Sequence, residues 1–167
     1  SFTINATAPI LLAMYQAVAE KQGVDPAAIR GTVQNDILKE YLARKTYIYP
    51  PDPSLRLATD VIEYCSRRLP KFNPISVCGY HMRQAGCDAV QEVALALSNA
   101  AAYAQAVVDR GIPIDEFAPQ ISYNLSTMRD LFEEVAKHRA ARRVWARLIQ
   151  ERFGSTDPRS CRLRLYS

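Results

Sequence analysis

The chain has 167 residues, of which 49% are hydrophobic and 23% are charged, and its formal net charge is +4. This composition is typical of a globular domain with one sizeable core and excludes an intrinsically disordered chain. The richest apolar stretch, residues 89–106, contains Gln, Glu, Ser and Asn, so we predict no membrane span. Nothing indicates secretion, and we expect the cytoplasm, or the mitochondrial matrix in a eukaryote.

The cysteines, Cys65, Cys78, Cys87 and Cys161, form no CxxC pair, and no histidine lies at zinc-finger spacing from them. We therefore expect reduced thiols, most of them buried, and no metal site. The sequence also contains no GxGxxG, GxxxxGK[ST], GxSxG or HExxH motif, which argues against nucleotide-binding, hydrolase and zinc-protease functions.

The N-terminal part predicts a strand, a helix and a second strand. Residues 1–5 alternate polar and apolar side chains, Thr7 is suited to cap a helix, and Gly23 ends it. The next strand is Gly31-Thr32-Val33, a short β-branched run. The apolar face of the helix is predicted to consist of Leu11, Met14, Tyr15 and Val18.

Further strands and helices alternate along the rest of the chain. Helical character is found at residues 35–44, 55–69, 85–110 and 131–153, and residues 46–53, with three prolines, predict a surface loop. Strands are predicted at residues 75–78 and 120–123, and a fifth strand can begin within residues 161–166.

Short apolar strands that alternate with amphipathic helices indicate an α/β protein with a parallel sheet that is buried on both faces. A doubly wound sheet and a (β/α)8 barrel both fit this order of elements. A complete barrel usually takes about 250 residues, so a barrel here would be a partial one, about half of the whole.

Functional residues of such folds follow the carboxyl ends of the strands. Three polar or aromatic clusters lie there, and we expect them to face one cavity: Gln34-Asn35-Asp36, Gly79-Tyr80-His81 and Ser122-Tyr123-Asn124. His81 is suited to donate to a carbonyl group, or it satisfies its own loop. Arg44 either serves the site or caps a helix.

The basic residues between Lys137 and Arg152 resemble a nucleic-acid surface, but acidic and apolar residues are interspersed. We favour a solvated helix face and predict no nucleic-acid partner, with His138 at the surface. The residues alone thus predict an α/β ligand-binding unit.

Longer segments are more specific. The chain reads GTVQNDILKEYLARKTYIYPPDPSLR from Gly31, then ISVCGYHMRQAGCDAVQE, IDEFAPQIS and EEVAKHRAARRVWARLIQERFG. In order and spacing these segments resemble methylmalonyl-CoA mutases, a family of cobalamin-dependent acyl-CoA mutases. QNDILKE, TYIYPP and GYHM carry the resemblance.

The resemblance implies a (β/α)8 barrel that holds an acyl-CoA substrate, with adenosylcobalamin over its carboxyl face as the source of a radical. The implied catalytic residues are His81, which donates to the thioester carbonyl, and Tyr80, which also lies against the cofactor. The implied substrate-binding residues include Gln34 and Arg44, the latter pairing with the carboxylate of a malonyl-type acyl group.

Ser122 and Gln120 are further implied substrate-binding residues, and Gln84 is implied at the cofactor. Gln120 and Gln84 stand where the family commonly has arginine and glutamate, and Asn124 stands where it has an aromatic residue. Arg44 favours methylmalonyl-CoA, with ethylmalonyl-CoA as an alternative. Relatives that act on isobutyryl-CoA or 2-hydroxyisobutyryl-CoA tend to carry glutamine at that position.

Residues 1–167 are interpreted as the central to C-terminal portion of the substrate-binding barrel, without the cobalamin-binding domain and its DxHxxG motif. We expect the isolated chain to be inactive and prone to association. The expected partners are an acyl-CoA and the remainder of the mutase, a dimer when complete. The alternatives are a split subunit that needs a cobalamin-binding partner chain, and a decayed pseudo-enzyme.

Overall fold

The computed structural model describes residues 1–167. Its strands are β1 (Gly31–Thr32), β2 (Phe72–Asn73), β3 (Ile75–Cys78), β4 (Ile121–Asn124) and β5 (Arg164–Tyr166). Its α-helices are α1 (Ala8–Lys21), α2 (Pro51–Arg68), α3 (Tyr80–Gln84), α4 (Ala89–Val108), α5 (Ile114–Phe117) and α6 (Leu131–Phe153). Short 3₁₀ helices cover Pro26–Ala28 and Ala118–Gln120, and a π-helix covers Glu40–Arg44.

The strands are all parallel and follow one another in chain order. β1 pairs with β2, and β3, β4 and β5 form a second sheet in that order. The two sheets are joined because Ser76 N donates to Gln34 O at 2.8 Å. A parallel bridge between Phe2 and Val33 adds the N-terminal segment at the other edge. The predicted parallel α/β fold is confirmed, and the strand order shows no reversal.

The two faces of the sheet differ in chemistry. In β3 and β4, side chains at odd-numbered positions, such as Val77 and Tyr123, belong to the core beneath α4 and α6, and the Tyr123 ring meets the Trp145 ring edge-on at 5.3 Å. The opposite face carries small or polar side chains, including Ser76 and Ser122. Parallel sheets are normally apolar on both faces, so this polar face is a departure from the usual pattern.

The packing of α1 corrects one prediction. α1 buries Ala8, Leu12 and Ala19, whereas Met14 and Val18, which were predicted to face inward, are 59% and 51% exposed. α1 packs against α2 on one side only. The helix therefore has a second apolar stripe, which includes Ile10, without a neighbour in this chain.

Two further predictions in the middle of the chain are wrong, one about where a helix begins and one about the type of helix. Residues 46–53 are not entirely a loop, because Pro50 caps α2 and Pro51 and Pro53 lie in its first turn, where a missing N–H costs nothing. Residues 35–44 do not form a regular α-helix, since their second half is the π-helix.

The predicted helix at residues 85–110 starts later than expected. Gly86 has a φ of +111°, and Asp88 and Gln91 form a reciprocal capping box that begins α4 at Ala89. Tyr80 and His81 lie in the separate short helix α3.

The termini follow the predictions in part. Residues 1–5 make one bridge and no full strand, and the Thr7 side chain makes no capping bond. The fifth strand is confirmed as β5.

The basic face of α6 is exposed at Arg139, Arg142, Arg143, Arg147 and Arg152, as expected. Lys137 is the exception, because it is 5% exposed and ion-paired with Glu92 and Glu134. His138 is half-buried, and its Nδ1 lies 2.8 Å from Glu134 O. The prediction of a fully solvated face is wrong at these two positions.

Candidate functional site at the carboxyl edge of the sheet

Gln34 and Asn35 follow β1 directly, where the chain makes a sharp turn. Asn35 has a φ of +50°, which is unusual for a residue other than glycine. Its side-chain nitrogen donates to Ala58 O and Pro74 O, each at 3.1 Å, and these bonds hold the turn. Gln34 is thereby fixed at the carboxyl edge of the sheet, where it is 4% exposed.

Behind Gln34 lies a buried group of polar residues that we name the Lys39 cluster: Asn5, Gln34, Asp36, Lys39 and Glu40. Lys39 Nζ donates to Gln34 Oε1 at 2.8 Å and to Glu40 Oε1 at 3.1 Å. Asn5 Nδ2 donates to the same two oxygens, at 3.1 Å and 2.7 Å. Lys39 and Glu40 are fully buried, so their charges are neutralised by each other rather than by water.

Asp36 ties this cluster to the next strand. Its Oδ2 accepts from Cys78 N at 2.7 Å, and its Oδ1 accepts from the Tyr103 hydroxyl at 2.8 Å. Burial raises the pKa of Asp36, and the nearby Lys39 charge opposes that effect. Asp36 therefore fixes the carboxyl end of β1 against the carboxyl end of β3.

Arg44 is the last residue of the π-helix and precedes Lys45, which has a φ of +60°. π-helical turns and left-handed residues of this kind recur at functional sites. The Arg44 side chain is 37% exposed, and its nearest acid is Glu40, at 3.9 Å. Its guanidinium makes no hydrogen bond within the chain, so it is free to bind an external anion.

His81 lies in α3, which packs against the π-helix. Its Nδ1 is 3.0 Å from Cys78 Sγ, and its ring meets the half-exposed Tyr80 ring edge-on at 5.5 Å. Burial, with the Lys39 and Arg44 charges, lowers the pKa of His81 to about 4. The imidazole is neutral at physiological pH and can donate one N–H to a ligand.

The structure thus brings together three of the predicted site residues, Gln34, Arg44 and His81, around the Lys39 cluster, with Tyr80 beside them. Gln84 is exposed at the end of α3 on the same edge.

The remaining predicted residues lie elsewhere. Ser122 is inside β4 rather than after it, on the polar face, and its Oγ donates to Ile75 O at 3.2 Å. Gln120 precedes β4, and its Nε2 donates to Pro70 O at 3.0 Å, at the amino edge of the sheet. The prediction that all three clusters face one cavity is wrong for Tyr123, whose ring lies in the core against Trp145.

Sequence reasoning missed Asn5, Lys39, Glu40 and Cys78. Lysine and glutamate are rarely fully buried, and Asn5 reaches Gln34 from 29 residues away. The only available signal was the closeness of Lys39 and Glu40 to Gln34 and Asp36 in the sequence.

A groove of 690 Å³ lies between α4 and α6, and none of these residues lines it. Its walls are mainly alanine, valine and leucine, and it lacks the converging polar groups expected of a specific ligand site. The structure contains no group of three or more His, Cys, Asp or Glu side chains suited to hold a metal ion. None of its helices combines the length and hydrophobicity that a membrane crossing requires.

The family model described as methylmalonyl-CoA mutase matches residues 1–167. The chain belongs to the methylmalonyl-CoA mutase family. It is 49% identical to the 2-hydroxyisobutanoyl-CoA mutase large subunit of Aquincola tertiaricarbonis, over 99% of this chain and 30% of that protein. It is 48% identical to methylmalonyl-CoA mutase of Escherichia coli and 42% identical to the human mitochondrial enzyme, in each case over 99% of this chain.

These family members are mutases, so the predicted resemblance is confirmed at the level of the family. The chain spans 23% of the Escherichia coli protein and 22% of the human protein. It therefore corresponds to less than a third of the relatives that it matches.

Proposed function

We propose that the chain is part of the substrate-binding barrel of an adenosylcobalamin-dependent mutase that interconverts methylmalonyl-CoA and succinyl-CoA. The observation that carries the proposal is the convergence of Gln34, Arg44 and His81 at one edge of the sheet in a member of this family. All three side chains have free hydrogen-bond donors, which suit a ligand with carbonyl and carboxylate oxygens.

The strand order supports a (β/α)8 barrel. Parallel strands that follow in chain order, with their helices packed along one face, form an arc of such a barrel rather than a doubly wound sheet. The exposed stripe of α1, Ile10, Met14 and Val18, is suited to pack against a preceding barrel helix. The missing strands and the cobalamin-binding domain would come from the remainder of the mutase or from a separate subunit.

The polar face of the sheet would then line the inside of the barrel. Ser76 Oγ in β3 lies 3.2 Å from the Tyr166 hydroxyl in β5, and Ser122 lies in β4 between these two strands. The side chains of Ser76 and Ser122 are small, and the face is hydrogen-bonded. Such a lining leaves room for a polar, extended ligand such as the pantetheine arm of CoA. Ser122 and Gln120 would lie along that path, from the carboxyl edge to the amino edge.

In the proposed reaction, His81 donates from Nε2 to the thioester carbonyl and stabilises the charge that develops there. Arg44 pairs with the free carboxylate of the acyl group, and a guanidinium matches the planar geometry of that group. Gln34 makes a further hydrogen bond to the acyl-CoA. These groups position and shield the reacting fragment, and no proton transfer from the chain is required.

Adenosylcobalamin, when bound, supplies the carbon radical that starts the rearrangement. The carboxyl edge fits such a group because Tyr80 exposes 42% of its surface there and packs against His81. Gln84, exposed on the same edge, is the second proposed contact. The bulk of the cofactor would be held outside this chain.

The test uses the full-length protein with adenosylcobalamin and measures conversion of methylmalonyl-CoA to succinyl-CoA. Replacing His81→Ala should lower kcat by about 100-fold, because a donor to developing charge is lost. Arg44→Gln should raise KM for methylmalonyl-CoA by about 10-fold or more, because a charge-assisted pair is lost.

The matched control is Arg143→Gln on the exposed face of α6, which should leave both constants unchanged. Ethylmalonyl-CoA, isobutyryl-CoA and 2-hydroxyisobutyryl-CoA are assayed in parallel. A higher kcat/KM for 2-hydroxyisobutyryl-CoA than for methylmalonyl-CoA in the unsubstituted protein would overturn the assigned substrate. If activity needs an added cobalamin-binding chain, the split-subunit arrangement is correct.

A further inference from the structure

The orientation of the Gln34 side-chain amide is determined by its neighbours. Its oxygen accepts two hydrogen bonds, one from Lys39 Nζ at 2.8 Å and one from Asn5 Nδ2 at 3.1 Å. An ammonium group has donors only, so the atom that faces Lys39 must be the oxygen. The Gln34 nitrogen, Nε2, is therefore on the other side of the amide.

The orientation of Asn5 is determined in the same way. Asp36 N, which can only donate, is 3.0 Å from Asn5 Oδ1. The Asn5 nitrogen must then face Gln34 Oε1 and Glu40 Oε1. Both amides are thus set by a backbone N–H and an ammonium group, neither of which can be reversed.

Gln34 Nε2 has no hydrogen-bond partner within the chain, yet it is not among the fully buried atoms that lack one. It is therefore partly accessible to solvent and is a free donor. The oxygen is occupied and cannot accept from a ligand.

His81 is constrained by Cys78. Burial raises the pKa of the Cys78 thiol, so the S–H proton is retained at neutral pH. The nearest acceptor for that proton is His81 Nδ1, at 3.0 Å. With the thiol donating to Nδ1, the neutral imidazole carries its own proton on Nε2.

We propose that Lys39, Asn5 and Cys78 are positioning residues that fix Gln34 and His81 as hydrogen-bond donors, so that the site accepts ligand oxygens that are acceptors only. The proposal deepens the proposed function and rests on it for the identity of the ligand. Arg44 completes the set because a guanidinium has no acceptor. A ligand group that can only donate, such as an amide N–H, finds no acceptor on Gln34, His81 or Arg44.

The first experiment compares Gln34→Glu with Gln34→Ala in the full-length protein. Glutamate keeps an oxygen for Lys39 and Asn5 but replaces the free donor by an acceptor, whereas alanine removes both. Binding of succinyl-CoA is measured by calorimetry without adenosylcobalamin, so that no turnover occurs. We expect about 10-fold weaker binding for alanine and about 100-fold weaker binding for glutamate.

That order of effects separates positioning from a purely structural role. A structural role for Gln34 predicts the opposite order, because glutamate preserves the contacts with Lys39 and Asn5 and alanine does not. Thermal unfolding of both variants is measured alongside. Binding by the glutamate variant that equals or exceeds that of the alanine variant would overturn the proposal.

The second experiment reads the His81 tautomer directly by ¹⁵N NMR of histidine-labelled full-length protein, with His81→Gln used for assignment. We expect protonated Nε2 and bare Nδ1 in the unsubstituted protein and in Cys78→Ser, which keeps a donor. In Cys78→Ala a mixture of tautomers should appear, with kcat lowered about 5-fold and KM nearly unchanged. A protonated Nδ1 in the unsubstituted protein would contradict the assignment.

Failure of the proposed function can be distinguished from failure of the positioning role. If the unsubstituted protein bound no acyl-CoA, the proposed function would be wrong, and the His81 tautomer would still decide the role of Cys78. If acyl-CoA bound normally and the variants behaved in the opposite order, only the positioning role would be wrong.

Discussion

Two buried lysines in this chain form ion-pair clusters of similar composition but different connection to the surface. Lys39 lies behind Gln34 with Glu40, Asp36 and Asn5. The other group, which we name the Lys137 cluster, consists of Glu92, Ser126, Glu134 and Lys137. Lys137 Nζ donates to Glu92 Oε2 at 2.9 Å and to Ser126 O at 2.8 Å, and Glu92 accepts from Ser126 N and Oγ at 2.6 Å and 2.7 Å.

The difference lies in what remains free. In the Lys137 cluster, both Glu92 oxygens accept hydrogen bonds within the protein, whereas the two Glu134 oxygens are buried without a hydrogen-bond partner and Glu134 meets Lys137 only as an ion pair. In the Lys39 cluster, the inner carboxylate oxygens all accept hydrogen bonds, and Gln34 Nε2 and the Arg44 guanidinium at its margin are free. A buried charge network therefore serves structure where none of its donors is left free, and can serve a site where it leaves donors at its edge.

Removing the cation of the Lys137 cluster should have the largest effect on the free energy of unfolding. Lys137→Met leaves Glu92 and Glu134 buried without a counter-charge, and we expect a loss of about 3–5 kcal/mol in the free energy of unfolding. Chemical denaturation of the full-length protein measures this loss. Arg139→Met, on the exposed face of the same helix, is the control and should change stability by less than about 0.5 kcal/mol.

A loss of less than about 1 kcal/mol in the free energy of unfolding for Lys137→Met would contradict the structural role of the Lys137 cluster, since removing one partner of a buried ion pair leaves an uncompensated charge. Succinyl-CoA binding by the folded variant should be unchanged, because the cluster has no free donor facing the site.

A methyl group added at Gly79 should have an intermediate effect on the free energy of unfolding. Gly79 follows β3, and a Cβ there would lie 2.8 Å from Glu92 Cγ and 2.8 Å from Leu125 Cδ2. Gly79→Ala should therefore displace Glu92 and cost about 1–3 kcal/mol in the free energy of unfolding, as overpacking does. Thermal unfolding gives the measurement, with Gln84→Ala at an exposed position as the control; equal stability of the two variants would contradict the close packing.

The smallest effect concerns the titration of His81, which faces Lys39, Arg44, Glu40 and the Cys78 thiol. Because its pKa falls from 6.5 to about 4 on folding, the unfolded chain binds more protons between these values. His81 therefore reduces stability as pH falls from about 6.5 towards about 4, and has no such effect above that window.

Arg44→Gln removes one of the cations that lower the pKa of His81 and should raise it towards 6.5. Glu40→Gln removes the one anion that raises it and should shift the pKa the other way. An NMR titration of His81 measures both shifts. Titration of the unsubstituted His81 near 6.5 would show that it is not part of this charged group.

The order of strands and helices could be predicted from the sequence, because the apolar runs and the glycine stops are local signals. The inward face of α1 could not be predicted, because that helix is apolar on two sides and Ile10, Met14 and Val18 are exposed. The start of α2 was misplaced because Pro51 and Pro53 interrupt a helix but are accepted in its first turn.

The candidate site shows the same division between local and distant causes. Gln34 and His81 were found because they follow strands, and Arg44 because of the family resemblance. Lys39 was not, because its burial depends on partners that the fold assembles, one of them Asn5 from the N-terminal segment. The roles of Gln34, Arg44 and His81, like those of the other predicted site residues Tyr80, Gln84, Gln120 and Ser122, remain predictions.

The buried thiol of Cys78 has a chemical consequence for a site that would hold a thioester. Thioesters are activated acyl donors, and a thiolate beside one would exchange with CoA and become acylated. Burial raises the pKa of Cys78, so the sulfur stays protonated at neutral pH and is a poor nucleophile. The chain can therefore keep a sulfur atom against His81 without trapping a bound thioester as a covalent acyl-enzyme.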